Sequence, residues 1–359
     1  MNSSVMALAT VLAGCSVGIS AVPDGAPVAD APTACEALPL PPLSVAKSDL
    51  YGYPPYAMDG CQLAYVSSNG NLMLRALHSG SEEVVASASE HPRRPSLKDG
   101  AIAWEGVNTS GKSVVRVRSA SLATVDMVGA FDHAGEPRLG GGALVFTAWK
   151  TADDLGDSEV DVYDLSTKAT IALDGNGQQR FADVSDAHVL YSDFGEDPDG
   201  TFNGNKADVA DVVIYDRASR TSVTRKLVGK QAFPRVASGT AMIYLSWNLI
   251  HPEPKMNAYE LMTGPISANV ANDAEVAFVT NDGSASYILP SVQNGIVEWI
   301  GQDVSFAMRL WRTRLDQIAP VAVTELDGLS LAAPVAHPQF TLLAVQKSGS
   351  DPELRLLTR

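Results

Sequence analysis

A chain of 359 residues with a formal net charge of −15 and a sequence pI near 4.7 repels a phosphate backbone. No Lys/Arg cluster reverses that sign locally, which argues against nucleic acid as a partner. Hydrophobic residues make up 45% of the chain and charged residues 19%. That supplies a core and excludes the apolar-poor, highly charged composition of a disordered chain. The acidic balance is compatible with cationic ligands or a divalent metal, with simple solubility as the plainer reading.

In chain order, the first feature is a run of apolar and small residues over 5–14, too short to span a bilayer and ending at Cys15. Met1 to Met6 carries no Lys or Arg. Leu12-Ala13-Gly14-Cys15 resembles the bacterial lipobox. The resemblance implies a signal peptide over 1–14, acylation of Cys15 and a membrane tether through that lipid. Ser16, where an Asp would imply inner-membrane retention, implies the outer membrane, with the domain facing periplasm or cell surface. An ordinary apolar N-terminus with an incidental cysteine is the alternative. Two cysteines then remain, Cys35 and Cys61, an even number in an oxidising compartment, and they are expected to pair. Residues 15–42, rich in Pro, Ala and Asp without period, read as a linker ahead of a domain over 43–359.

From there one phrase recurs: a proline, five positions later a glycine, then an aromatic closing an apolar run. The pairs are Pro55 with Gly60, Pro95 with Gly100, Pro137 with Gly142, Pro234 with Gly239 and Pro290 with Gly295. Degenerate copies stand at Ala182 with Ala187 and at Pro334 with Gln339. The aromatics are Tyr65, Trp104, Phe146, Tyr191, Tyr244 and Trp299, with Ala344 in the last copy. A second strand with a period of two follows in each, clearest at 160–167 and 212–219. Proline suits the start of a strand, glycine a tight turn, and the aromatic the layer between sheets. One such unit cannot bury both faces, so the copies predict an all-β β-propeller of seven four-stranded blades, with six or eight still open. Ring closure needs an interlock, and residues 43–47 are expected to supply the outer strand of the last blade beside 354–358.

The phrase resembles the TolB-type propeller repeat: Pro, a short strand, Asp-Gly, an apolar strand, then a Tyr-Asp strand and turn. The resemblance runs from about Tyr51 to the C-terminus and implies fold more than activity, since such propellers serve as scaffolds, peptidase partners and lyases. No α/β domain precedes the propeller as in TolB itself.

The candidate chemistry is sparse. An acidic loop holds Asp193, Glu196, Asp197, Asp199, Asn203, Asn205, Asp208 and Asp211 with Gly200 and Gly204. Oxygen donors at alternate positions suit a hard cation, so Asp193, Asp197, Asp199, Asn203, Asn205 and Asp208 are candidate Ca²⁺ ligands, against a solvated loop. Asp153, Asp154, Asp157 and Glu159 form a shorter version. Tyr53 and Tyr56 beside Pro54 and Pro55, and Trp247, are candidate binding aromatics, against packing within their own blades. The six histidines are scattered, and no Gly-x-Ser-x-Gly, His-Glu-x-x-His or P-loop pattern is present. These observations predict a monomeric, non-catalytic, envelope-associated lipoprotein that binds a protein or a glycan. The alternative is a propeller lyase or hydrolase acting on extracellular polysaccharide or peptide. A His/Arg/carboxylate cluster at the channel mouth would favour the enzyme, and a smooth channel the binding module.

Overall fold

The computed structural model describes residues 35, 41–48, 53–119, 122–127, 129, 132–150, 156–173, 175–197, 209–226, 230–247, 260–266, 277–278, 290–302, 308–326 and 328–358. They form seven antiparallel sheets, six of them built from four consecutive strands in chain order. The inner strands are Tyr56–Asp59, Arg93–Lys98, His133–Gly140, Gln179–Val184, Lys230–Val236 and Ser291–Gln293. In the seventh sheet the inner position is shared by Ser330–Leu331 and Val335–Ala336, both paired to Phe340–Gln346. No described helix is long and apolar enough to cross a membrane.

Each repeat aromatic is buried against the blade before it. Trp104 packs with Ala64, Val66 and Leu72 of blade 1, Phe146 with Val115 and Val117 of blade 2, and Trp299 with Leu245 and Leu261 of blade 5. Seven such clusters separate seven blades, so the hydrophobic core is distributed around the ring.

The ring closes on blade 7 over a shorter stretch than the expected 43–47, since Val45 already bridges to Ser67 of blade 1. Leu43–Ser44 is the outer strand of blade 7, with Leu43 opposite Leu354 and Ser44 opposite Glu353. The Cys35–Cys61 disulfide forms beside it, with the two Cα atoms 5.4 Å apart. Tyr56 completes the joint from the inside. Its buried hydroxyl donates to Ala333 O at 2.6 Å and accepts the Ala344 N–H at 2.8 Å. Burial pushes its pKa up, so it remains a neutral donor. Tyr56→Phe strands both backbone groups, and a loss on the order of 2 kcal/mol is expected in urea unfolding. An unchanged midpoint would show that the hydroxyl does not hold the joint.

Blades 2 to 5 share a second device. The residue before the repeat proline, or before its Ala182 substitute, has a left-handed backbone: Arg94 at φ 50°, Glu136 at 57°, Phe181 at 59° and Phe233 at 57°. Strand register shifts at each of these points. Such a bulge re-aims the side chains that follow it, and those side chains line the axis.

Candidate functional site

The position directly after the repeat proline delivers one side chain per blade to a single axial cavity of about 150 Å³: Tyr56, Ser96, Arg138, Asp183, Arg235, Ser291 and Val335. Three of the seven accept a backbone N–H from the next blade. Ser96 Oγ accepts the Leu139 N–H at 2.9 Å, Asp183 Oδ2 the Val236 N–H at 2.8 Å, and Ser291 Oγ the Ala336 N–H at 2.9 Å. Between them, blades 3 and 5 contribute arginines. Arg235, 5% exposed, donates through Nη1 to Pro234 O at 2.8 Å and to Phe181 O at 3.4 Å, while its Nη2 has no acceptor among the described residues. Arg138 makes no hydrogen bond among the described residues, and its guanidinium lies 5.5 Å from the centroid of the Tyr53 ring. Burial, and then the like charge of Arg235, pull the Arg138 pKa down to about 10, against Tyr53, Asp183 and Glu136.

Alongside the cavity, the bulges build a buried ion network across blades 2, 3 and 4. Glu136 is gripped by Arg180, accepts from Thr147 Oγ1 at 3.0 Å and lies 3.5 Å from Arg94. Glu105 accepts from Arg93 Nε at 2.7 Å and Arg94 Nη1 at 3.1 Å, and takes the Glu136 N–H at 3.2 Å. Burial pushes the Glu136 carboxyl up, but Arg180, Arg94 and the hydrogen bonds outweigh it and hold it at about 2. Tyr53, 4% exposed with the Arg94 guanidinium 4.7 Å over its ring, is raised to about 12 by burial and then by Glu136. It is therefore no general base at neutral pH.

The residues singled out from sequence land as follows. Tyr53 and Tyr56 are interior, which favours packing over a role as surface binding aromatics: in a ring of blades, adjacent sheets cover the inner strands. Tyr56 still contributes to the axial cavity. Trp247 ends a strand opposite Lys230, and its side chain lies outside the described residues. Asp193 and Asp211 face each other in register at the open end of blade 4. Asp193 Oδ1 accepts the Gly195 N–H at 2.9 Å, and Asp197 Oδ2 the Val209 N–H at 2.6 Å, so both brace the loop. Asp199, Asn203, Asn205 and Asp208 lie outside the described residues, as do Cys15 and the linker up to Ala34. Among the described residues no cluster of three or more His, Cys, Asp or Glu side chains is arranged for a metal.

Asp211 nevertheless has an electrostatic signature. Burial, then Glu196 and Asp193, raise it to about 6, against Lys226. A carboxyl raised in the folded state adds stability that is present below its unfolded value near 4 and is lost as pH rises through about 6. Asp211→Asn is expected to be more stable than the parent at pH 7, on the order of 2 kcal/mol, with the difference closing toward pH 4. Unfolding midpoints measured across that range check it, and a pH-independent difference would contradict it.

Histidine is absent from the described lining of the axial cavity. His133 Nδ1 accepts the Ser113 N–H and its ring stacks on Trp149, while His337 stacks on Phe340. The channel is thus neither smooth nor a His/Arg/carboxylate cluster: it presents guanidiniums, one carboxylate and two serine hydroxyls. Arg138, Asp183 and Arg235 were not singled out from sequence. Their signal was available as the residue one position after each repeat proline.

No protein-family model matches the chain, and no curated protein matches it in sequence. Solved structures do resemble it. The β-propeller domain of the Trilobed protease from Pyrococcus furiosus superposes with a TM-score of 0.62 at 11% identity, over 88% of this chain and 93% of that domain. Acylaminoacyl peptidase from Pyrococcus horikoshii gives 0.60 at 12% identity, over 88% of this chain and 51% of the peptidase. TolB from Acinetobacter baumannii is also among the neighbours, with a TM-score of 0.45 at 11% identity, over 82% of this chain and 78% of TolB. The chain spans nearly all of an isolated propeller domain but only about half of the peptidase. At these identities the likeness is one of fold. The Pyrococcus furiosus domain has an open velcro topology, whereas here Leu43–Ser44 closes the ring on blade 7.

Proposed function

We propose that this propeller is an exported, non-catalytic binding module, tethered to the envelope through acylated Cys15 and engaging an envelope protein or glycan. The observation that carries the reading is the Cys35–Cys61 disulfide at the ring closure. A disulfide of this kind persists in oxidising compartments and is rare where thiols are kept reduced. It thereby supports the export implied by the lipobox resemblance. Binding is favoured over turnover by the chemistry of the cavity, whose groups are hydrogen-bond donors and charges rather than a proton carrier near neutrality. The second reading, a lyase or hydrolase of extracellular polysaccharide or peptide, draws on the guanidiniums and carboxylate sharing one cavity.

Affinity enrichment of the full chain from gently solubilised envelopes separates the two, followed by reconstitution with the purified candidate and an assay of polysaccharide and peptide cleavage. The expected result is one envelope protein or glycan that rebinds stoichiometrically and is recovered intact. Cleavage of a substrate, or no rebinding component, would contradict the binding reading.

A further inference from the structure

Arg138 and Arg235 place two positive charges in one cavity on the axis of a chain whose net charge is −15. Two nearby carboxylates have other partners, and neither hydrogen-bonds Arg138 or Arg235 among the described residues. Asp183 accepts the Val236 N–H, and Glu136 is held by Arg180, Arg94 and Thr147. Arg235 Nη2 and Arg138 Nε have no acceptor among the described residues. A buried N–H without an acceptor is destabilising, and facing like charges in a low-dielectric site add to that. Ser96 and Ser291 line the same cavity; each oxygen accepts a backbone N–H, and the hydroxyl hydrogen of each remains available. Apart from the Asp183 carboxylate, which carries one negative charge against two positive ones, the lining side chains that carry polar hydrogens are donors converging on a space about five water volumes in size. Guanidiniums in this setting match a planar or tetrahedral oxyanion, which would accept the orphan N–H groups and neutralise the pair at once.

We propose that the axial cavity binds a small oxyanion, a carboxylate or phosphate group, between Arg138 and Arg235, with the Ser96 and Ser291 hydroxyls as further donors. The site belongs to the ring itself and does not depend on export or on the envelope partner.

The test is thermal unfolding of the full chain in millimolar succinate and, separately, inorganic phosphate, each against sodium chloride at matched ionic strength. Arg138→Gln is the control, because it removes a charge that makes no hydrogen bond and relieves its repulsion with Arg235. Its melting temperature in chloride is expected to equal or exceed that of the parent. The parent is expected to show a saturable rise in melting temperature with at least one of the two anions, and the midpoint of that titration to move about tenfold or more higher in Arg138→Gln. A response to succinate alone assigns a carboxylate and to phosphate alone a phosphate, and either supports the site. No rise beyond chloride, or an equal rise in Arg138→Gln, overturns it.

Discussion

Glu136→Gln is expected to destabilise the protein by about 3–5 kcal/mol, the range for removing one partner of a buried ion pair. Both Glu136 and Arg180 are 2% exposed, and the pair links blade 3 to blade 4. Glutamine preserves the shape and most of the hydrogen bonding, but it leaves Arg180 and Arg94 without the carboxylate they share. Replacing both partners, as in Glu136→Gln/Arg180→Met, is expected to recover part of the loss, because the uncompensated charge goes with the pair. The effect also has a pH signature. A carboxyl held at about 2 contributes stability above its unfolded value, roughly 4.3, and loses it as pH falls through about 2. The gap between parent and Glu136→Gln, measured by denaturant unfolding, is therefore expected to be full at pH 7, to narrow below about pH 4.3, and to close near pH 2. A gap that persists at pH 2 would mean that packing, not charge, is lost.

Cys35→Ser/Cys61→Ser is expected to cost about 3.5 kcal/mol, because the bridge closes a loop with a sequence separation of 26 and loop-closure entropy of that size is removed from the unfolded chain. The location adds a structural consequence. Cys35 shares a buried cluster with Val45, Tyr56, Leu342 and Leu354, and its N–H donates to Gln339 Oε1 at 2.8 Å. Losing the bridge therefore releases the segment that brings Leu43–Ser44 to blade 7, and hydrogen exchange at Leu354 and Glu353 should rise more than at inner-strand amides. An unchanged urea midpoint would show that packing at the closure already holds the loop.

The seven copies of the proline phrase made the architecture legible, because proline, glycine and the aromatic each answer to local backbone or packing physics. Even the degenerate copies at Ala182 and Pro334 fall on inner strands or their edges. The interlock of Leu43–Ser44 with blade 7 was also readable, since an unclosed ring would leave an exposed edge. The channel's lining positions could be read from the repeat, one residue after each proline, but its ion network could not. Glu136 meets residues 31 and 44 positions away in sequence, so its network exists only once blades stack. Tyr53 and Tyr56 read as either binding or packing groups because alternation shows that a strand has two faces, while in a ring of blades both are covered. The acidic loop showed its composition, yet the braces that Asp193 and Asp197 supply to backbone N–H groups depend on the folded loop.

The intact mass of the chain recovered from the membrane fraction of its native cell reads export and lipid tethering together. The predicted result is a polypeptide that begins at Cys15, carries acyl mass on that residue and holds Cys35 and Cys61 oxidised. A chain that keeps residues 1–14, carries no acyl group and has three free thiols would contradict both.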